Sequence, residues 1–362
     1  MASPTSHPKF NVMGLYLSIL VLRVKNTSEA LTQQHSNTKK GSRRVALFSR
    51  ALNIALLLSM SGCQSLSQHL DTHSATQSAS AYMNVPFFAQ EKYQCGPAAL
   101  ASVLNYAGAS TTPEELADEV WLPKRRGSLA MELSAAARAR GFLVYPVNTE
   151  AALFAELDAG HPVLIQQNLL FNWLPQWHFA VVVGYADDGN TLYLHSGQEQ
   201  KKAVDLAWFE NHWHKADHLG FAVIPTNQLP AQSTALVLAS AIEDLSHSSR
   251  QPATAYWKLA AMRHPDSPVV LFGYGNALSQ QSDFANAHAQ YQRVTTIKRD
   301  FHAAWNNLAD TYKQMHCKKE AQAAIQIALS YSPKNDLYLA TQHEISALNG
   351  ELKCSLNYPA KK

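Results

Sequence analysis

The stretch VPFFAQEKYQCGPAALASVLNYAG, residues 85–108, decides the fold of the central part of the chain. The residues that follow Cys95 are mostly small and apolar, which predicts a buried helix over 96–107 with the cysteine at its first turn. Pro97 suits a first turn, because its missing N–H would have no partner there. The free N–H groups and the positive end of such a helix stabilise a thiolate, so Cys95 is a candidate nucleophile.

Two neighbours of the cysteine fit the same chemistry. Gln90, five residues upstream, can donate its side-chain amide to a developing oxyanion beside the backbone N–H of Cys95. Gly96 has no Cβ, so it lets the backbone approach a substrate carbonyl. Because a thiol is only partly ionised at neutral pH, acyl transfer at Cys95 also needs a base from elsewhere in the chain.

The segment HFAVVVGY, residues 178–185, supplies a candidate base. His178 opens a run of apolar residues that predicts a strand, which would put its ring at the end of a sheet. One histidine among 16 is more often incidental than catalytic, and an isolated cysteine in a helix is often a core residue. The two residues together are therefore more informative than either alone.

Residues 84–226 mix helices and strands in the order of an α+β domain, with a helical lobe first and an antiparallel sheet after it. A capping box with proline at the first helical position begins a helix at Thr112, and two more helices are predicted over about 129–140 and 150–159. The strand-like runs FLVYPV and PVLIQQN follow those two. HFAVVVGY and TLYLHSG flank an Asp-Gly turn at 186–190, which indicates a hairpin.

Beyond about Asn227 the strand pattern stops, and alanine-rich sequence shows a period of about 34 residues. Three units share the spacings of the tetratricopeptide signature: Ala253, Trp257, Ala260 and Pro265 in the weak first unit, Leu271, Tyr274, Gly275, Leu278, Ala287, Tyr291 and Val294 in the second, and Trp305, Leu308, Ala309, Tyr312, Ala321, Ala328 and Pro333 in the last. Residues 235–350 therefore resemble tetratricopeptide repeats, with an irregular helical bundle as the alternative. A linker over 227–234 would precede them and a tail over 351–362 would follow.

The first 63 residues resemble the leader and signal peptide of a bacterial lipoprotein. The apolar run 51–60 follows a basic flank and is too short to span a bilayer, which needs about 20 residues. Ser61 and Gly62 directly precede Cys63, as in sites cut by a lipoprotein signal peptidase, so Cys63 is the candidate lipidated residue. An ordinary secretory signal and a buried apolar helix are the alternatives. The long polar segment ahead of the basic flank also leaves the translation start open.

Lipidation would fix the location of the protein. Residues 64–83 are rich in serine, glutamine, threonine and histidine, which is typical of a flexible tether. The predicted location is the bacterial cell envelope, facing the periplasm. Gln64 and Ser65 contain no aspartate retention signal, so the resemblance to lipoproteins favours the outer membrane.

Composition argues against several classes of partner. The net charge of +3 is small for 362 residues and comes from basic residues near the start, so nucleic acid is a poor candidate. The chain has no glycine-rich phosphate loop, and we predict no nucleotide, cofactor or metal. Four cysteines are too few for a disulfide scaffold. Cys317 and Cys354 either pair in an oxidising compartment or remain buried thiols.

Gln90, the motif CGPAAL at 95–100 and HFAVVVGY together resemble the bacteriocin-processing cysteine peptidases, the papain-like family that removes double-glycine leaders. The resemblance extends from Val85 to about Pro225. It implies a papain-like fold and hydrolysis of a peptide bond through a thioester, with His178 shuttling the proton. The transporter form of the family is excluded, because the chain has no run of membrane helices.

One position departs from the family pattern. The family ends its next strand in Asp-Pro and orients the imidazole with that aspartate, whereas YLHSG puts Ser196 at this place. A neutral hydroxyl stabilises an imidazolium less than a carboxylate does. A hairpin closed tightly on Asp188-Gly189 would bring Glu199 opposite His178 instead, while a looser loop favours Ser196. The orienting residue therefore stays open between the two.

The sequence as a whole predicts an envelope-anchored cysteine peptidase that acts on a peptide or protein, with a repeat domain that binds a protein partner. The alternative is a catalytically silent papain-like module that binds a peptide while the repeats scaffold an envelope complex. Acyl transfer to an amine instead of water would use the same residues.

Overall fold

The chain is described by a computed structural model that covers residues 81–89, 94–120, 128–186, 189–249 and 253–348, together with Cys354. All of these residues belong to one compact unit of the chain. The predicted leader over 1–63, with the candidate lipidation residue Cys63, lies outside the described residues. So do most of the predicted tether and the candidate oxyanion residue Gln90.

Seven strands form one antiparallel sheet in the N-terminal half of the described chain. The order across the sheet is β2-β7-β3-β4-β5-β6, and β1 pairs with one end of β4. The strands are β1 Ala81–Tyr82, β2 Leu143–Pro146, β3 Val163–Asn168, β4 Trp177–Tyr185, β5 Thr191–Ser196, β6 Glu199–Asp205 and β7 Gly220–Ile224. The five helices of this half are α1 Cys95–Tyr106, α2 Pro113–Val120, α3 Ala130–Ala139, α4 Glu150–Asp158 and α5 Leu206–His214.

Helix α1 forms the centre of this domain. Its residues from Gly96 to Leu104 are all buried, as expected of a helix without a polar face. Its apolar side chains share one core cluster with β4 side chains on alternate positions, Phe179, Val181 and Val183. This packing presses the first turn of α1, and Cys95 with it, against the sheet.

The sheet begins earlier than the sequence indicated. Ala81 and Tyr82, placed in the predicted tether, pair with Tyr185 and Gly184 of β4. The reason lies in β3, which starts opposite Val182 and leaves the last residues of β4 without a partner on that side. Strand β1 supplies the missing hydrogen bonds, so the end of the predicted tether is a short strand.

The C-terminal half consists of seven described helices: α6 Ala235–Ser248, α7 Thr254–Arg263, α8 Pro268–Gln280, α9 Phe284–Ile297, α10 His302–Gln314, α11 Lys318–Tyr331 and α12 Asp336–Ser346. The first six form three consecutive pairs that coincide with the three predicted repeat units, and α12 follows as a single last helix. Signature residues sit where paired helices cross: a Cβ on Gly275 would lie 2.6 Å from the ring of Tyr291. The α+β domain followed by a helical repeat domain agrees with the predicted fold class.

A disulfide closes the end of the repeat domain. Cys317, at the start of α11, is bonded to Cys354, which lies 37 residues later. Of the two alternatives left open by the sequence, the structure has the bonded one. None of the described helices has the length and apolar character needed to cross a membrane.

The two halves are joined by hydrogen bonds between buried groups. The hydroxyl of Tyr256 on α7 donates to the carbonyl of Ile224 at 2.6 Å and accepts from the N–H of Leu143 at 3.1 Å. The carboxylate of Glu156 accepts from the N–H of Ala231 at 2.8 Å, and the same carboxylate binds His161 Nδ1 at 2.7 Å. The first repeat is therefore fixed to one edge of the sheet.

Candidate active site

Cys95 is the first residue of α1, one position earlier than the predicted start of the helix. Burial of the partly buried side chain raises the pKa of the thiol above its ordinary value of 9.0. Hydrogen bonds from the backbone of Phe179, of Gly96 and of Cys95 itself act in the opposite direction, and they are smaller. The free protein therefore holds Cys95 mainly as the neutral thiol at pH 7.

Gly96 has a packing role that the sequence did not indicate. A Cβ on Gly96 would lie 2.9 Å from both Cβ and Oγ of Ser128, and 3.4 Å from Cδ2 of Leu133. The start of α1 thus touches the segment that leads into α3. A side chain at this position would therefore force either Ser128 or the first turn of α1 to shift.

His178 is the second residue of β4, and its ring contacts the neighbouring strand. Its Nε2 lies 2.9 Å from the hydroxyl of Ser196 at the end of β5. Burial lowers the pKa of His178 to about 4, and the positive charge of Lys202 contributes to the shift. The imidazole is therefore neutral at pH 7, and one of its nitrogens is free to accept a proton.

The sulfur of Cys95 and the ring of His178 are brought to the same end of β4. The sulfur accepts a hydrogen bond from the backbone of Phe179, the residue that directly follows His178. If Nε2–H donates to Ser196, the lone pair on Nδ1 is available to a thiol. The start of β4 thus lies beside both Cys95 and Ser196, and Gln90 lies outside the described residues.

Glu199, the other candidate orienting residue, faces a different partner. Its carboxylate binds Lys202 at 2.7 Å, and its side chain is 60% exposed. It pairs with Ser196 across the tight β5–β6 hairpin. Strand β5 ends at Ser196 and the chain turns back into β6 there, so the serine and not the glutamate reaches His178, although Tyr185 pairs with Leu192 as in a hairpin centred on residues 188–189.

The sequence did not single out Gln167, which lies directly across from His178 in the β3–β4 pair. Gln167 is 1% exposed, and its Nε2 is buried without a hydrogen-bond partner. Residues paired in this way point to the same face of a sheet, so a free amide donor adjoins the candidate base. The signal was present in PVLIQQN, where polar residues continue an apolar strand.

Among the described residues, one group of side chains offers the atom types of a metal site. Cys317, Glu320 and Cys354 offer ligand atoms within 4.8 Å of one another. Both sulfurs are engaged in the disulfide, however, so this group has no thiolate to offer in the bonded state. The group also lies in the repeat domain, on elements distinct from those that carry Cys95 and His178.

Comparison with known families places these residues in context. Residues 82–221, a range that includes Cys95, His178 and Ser196, match the model of the Peptidase_C39 like family. The chain contains a C39-like peptidase domain. The predicted resemblance to double-glycine peptidases is thereby confirmed for this part of the chain, and tetratricopeptide-like repeats follow the C39-like domain.

Solved structures give weaker likenesses. A protein from Bacillus anthracis described as a C39-like peptidase is 18% identical, with 41% of this chain and 98% of the other covered and a TM-score of 0.34. The peptidase domain of Streptococcus ComA, a bifunctional ABC transporter of a quorum-sensing pathway, is 23% identical. The match covers 38% of this chain and 96% of the other, with a TM-score of 0.32. The first tetratricopeptide domain of Spaghetti (RPAP3), bound to an HSP90 peptide, is 18% identical. The match covers 31% of this chain and 90% of the other, with a TM-score of 0.29. No curated protein matches the chain.

Proposed function

We propose that this protein is a lipid-anchored cysteine peptidase of the bacterial envelope, in which the C39-like domain cleaves a peptide bond and the repeats bind a protein partner. Cys95 is the nucleophile, His178 the general base and acid, and Gln90 the side-chain oxyanion donor. Ser196 orients the imidazole. A lipid on Cys63 holds the protein at a membrane, with the outer membrane as the favoured location.

In this mechanism the thiol proton of Cys95 passes to Nδ1 of His178 while the sulfur attacks the carbonyl carbon of the substrate. The resulting oxyanion accepts hydrogen bonds from the amide of Gln90 and the backbone N–H of Cys95. The C–N bond then breaks, and the leaving amine takes the proton from His178. Water, deprotonated by the same imidazole, hydrolyses the thioester and returns the sulfur to the thiol.

The observation that carries the proposal is that Cys95 and Ser196 both lie at the end of β4 where His178 stands. The sulfur of Cys95 contacts the backbone of Phe179, and the adjacent His178 is hydrogen-bonded to Ser196 at 2.9 Å. An incidental histidine would need none of these contacts. The family match over 82–221 supports the same assignment, because it spans all three residues.

A second function is favoured by the electrostatics of the same residues. Burial raises the pKa of the Cys95 thiol and lowers the pKa of His178 to about 4, so the free protein favours the neutral pair over thiolate and imidazolium. Among the residues that the structure describes, the partner of His178 is the neutral hydroxyl of Ser196, which does not stabilise the charged form of the ring as a carboxylate would. A silent C39-like module that binds a peptide without cleaving it fits these two facts.

A peptidyl electrophile that ends in two glycines separates the two functions. Substrate-like binding aligns the reacting groups, so an enzyme should acylate Cys95 at pH 7 at least about 100-fold faster than His178→Ala does, within the range general-base catalysis contributes. His214→Ala, which removes an exposed histidine, is the matched control and should react like the wild type. Slow labelling that is indifferent to His178 would support the silent module.

The nature of the acceptor and the anchor need separate measurements. Mass spectrometry of the product tells hydrolysis from transfer to an added amine. Protein termini that disappear in cells carrying Cys95→Ala identify the substrate. Cys63→Ser should move the protein from the membrane fraction to the soluble fraction, and a wild-type protein that is already soluble would refute the anchor.

A further inference from the structure

Large apolar side chains cluster on the connection between β3 and β4, directly before His178. Trp173 is 79% exposed and Phe171 60% exposed. Four exposed large apolar residues of this connection and the first residue of β4 together form what we call the aromatic tip: Leu170, Phe171, Trp173, Leu174 and Trp177. The other exposed large apolar residues of the described chain come from separate elements. A concentration of this kind marks a surface that contacts another apolar phase.

The aromatic tip is held in an ordered conformation. Oδ1 of Asn168 accepts hydrogen bonds from the N–H of Leu170 at 3.2 Å and of Gln176 at 3.0 Å. A β-bridge joins Phe171 to Leu174, and the rings of Phe171 and Trp173 stack with their centroids 5.8 Å apart. Because these contacts hold the apolar side chains outward, their exposure is built into the fold.

Shape and charge indicate what the aromatic tip contacts. The bridge leaves only Asn172 and Trp173 at the turn, so the tip is a projection, whereas sites for peptides and small molecules are concave. From Asn168 to Trp177 no residue is charged, so no charge would lose its hydration on burial. Tryptophan and phenylalanine beside polar backbone are the residues that proteins place at the boundary of a bilayer.

We propose that the aromatic tip inserts into the surface of a lipid bilayer and thereby holds the entrance to the Cys95–His178 site against the membrane. Trp177 directly precedes His178 in β4, so insertion fixes the distance between the candidate site and the lipid. Lys202, whose charge acts on His178, lies close to the base of the tip and is paired with Glu199, so this pair adds no net charge that a bilayer would repel.

Tip and lipid anchor are able to act on the same membrane. Strand β1 joins β4 at Tyr185, the end opposite Trp177, and the nine residues of β4 span about 30 Å. The 17 residues between Cys63 and Ala81 can extend to about 60 Å. Contact between the tip and lipid requires neither the anchor nor catalysis, so it can be tested separately from both.

The test uses the full chain with Cys63→Ser, so that no anchor contributes, and vesicles of phosphatidylcholine with added phosphatidylglycerol. Co-sedimentation should show binding that falls about tenfold or more when Phe171, Trp173 and Leu174 are all replaced by serine. Met131→Ser with Met262→Ser is the matched control, because these side chains are 69% and 71% exposed on other elements. The control should change binding by less than about twofold.

A second measurement avoids any loss of folding in the triple variant. Brominated lipids should quench part of the tryptophan fluorescence, and the conservative variant Trp173→Phe should reduce the quenched part to the share contributed by Trp177. Cys95→Ala must bind vesicles like its parent, which separates this proposal from the peptidase mechanism. Absence of vesicle binding by the parent overturns the proposal, as does equal binding by the triple variant. A change in peptide affinity or self-association without any change in vesicle binding would assign the tip to substrate or to a second copy, and would overturn it too.

Discussion

A serine hydroxyl contacts the candidate base at the position where double-glycine peptidases carry an aspartate. The contact between Ser196 and Nε2 of His178 fixes the ring, but a hydroxyl adds no negative charge. The pKa of His178 accordingly stays at about 4, set by burial and by the charge of Lys202. The residue at position 196 of β5 thus influences how readily His178 accepts a proton.

Ser196→Asp should turn the weak base into a stronger one. A carboxylate at this distance stabilises the imidazolium and should raise the pKa of His178 by about 1–3 units, which NMR titration of the ring measures. The rate of Cys95 acylation at pH 7 should rise with it, by about tenfold. Ser196→Asn is the control, since asparagine has the shape of aspartate without its charge and should leave the pKa of His178 low. An unchanged pKa in Ser196→Asp would contradict the described hydrogen bond.

The reactivity of Cys95 towards a small reagent should depend on pH in a specific way. Burial raises the pKa of the thiol above 9.0, so the thiolate fraction grows about tenfold per pH unit below that value. Alkylation by iodoacetamide should therefore rise continuously from pH 6 to about 8.5. His178→Ala should follow the same curve. A plateau between about pH 5 and 8 would instead reveal a thiolate–imidazolium pair and refute the neutral resting state.

At the scale of elements, sequence reasoning was accurate where patterns were regular. Helix α1, the β4–β5 hairpin and the three repeat pairs follow from apolar runs, an Asp-Gly turn and a fixed period. Strand β6 was not predicted, because its sequence EQKKAVD is polar, as is usual at the edge of a sheet. The Gly-Gln turn before it is nevertheless a hairpin signal. Strand β1 was assigned to the tether because only its pairing with β4 makes it a strand.

The candidate site shows the same division. Cys95 and His178 could be predicted from sequence motifs, because a thiol and an imidazole are recognisable as reactive groups from the residue type alone. The choice between Ser196 and Glu199 depended on loop geometry that a sequence does not fix. The polar end of PVLIQQN marks Gln167 as unusual for a buried strand, but its position opposite His178 follows only from the pairing of β3 with β4.

Close helix packing in the second repeat can be tested at Gly275. A methyl group there would lie 2.6 Å from Cε1 of Tyr291, whose hydroxyl is also hydrogen-bonded to Asn276 at 2.7 Å. Gly275→Ala should lower the free energy of unfolding by about 1–3 kcal/mol, although alanine is the better helix former. In a Tyr291→Leu background the same change should cost much less in urea titrations. Equal costs in both backgrounds would show that the ring is not the obstacle.

At the scale of the whole molecule, Tyr256 connects the repeats to the sheet. Its hydroxyl donates to Ile224 and accepts from Leu143, and its side chain is 1% exposed. These two bonds join the edge strand β2 and its neighbour β7 to α7. The C39-like domain and the first repeat should therefore unfold together.

Tyr256→Phe leaves a buried carbonyl and a buried N–H without their partner, which should cost about 1–3 kcal/mol in the free energy of unfolding. Calorimetry should show the single transition of the wild type broaden or split. Tyr331→Phe removes a hydroxyl from a side chain that is 46% exposed, and it should leave the transition unchanged. A sharp single transition in Tyr256→Phe at the wild-type temperature would mean that other contacts hold the two parts together.

The disulfide between Cys317 and Cys354 requires oxidised sulfurs, whereas the chemistry proposed for Cys95 requires a reduced one. Closing 37 residues contributes about 4 kcal/mol by the chain-entropy relation, and a reducing agent removes it. Cys95, in contrast, must escape oxidation wherever that bond persists, and sulfur is oxidised mainly as the thiolate. The burial that keeps Cys95 protonated therefore also slows its oxidation. Dithiothreitol added to protect this thiol would break the Cys317–Cys354 bond and destabilise the end of the repeat domain.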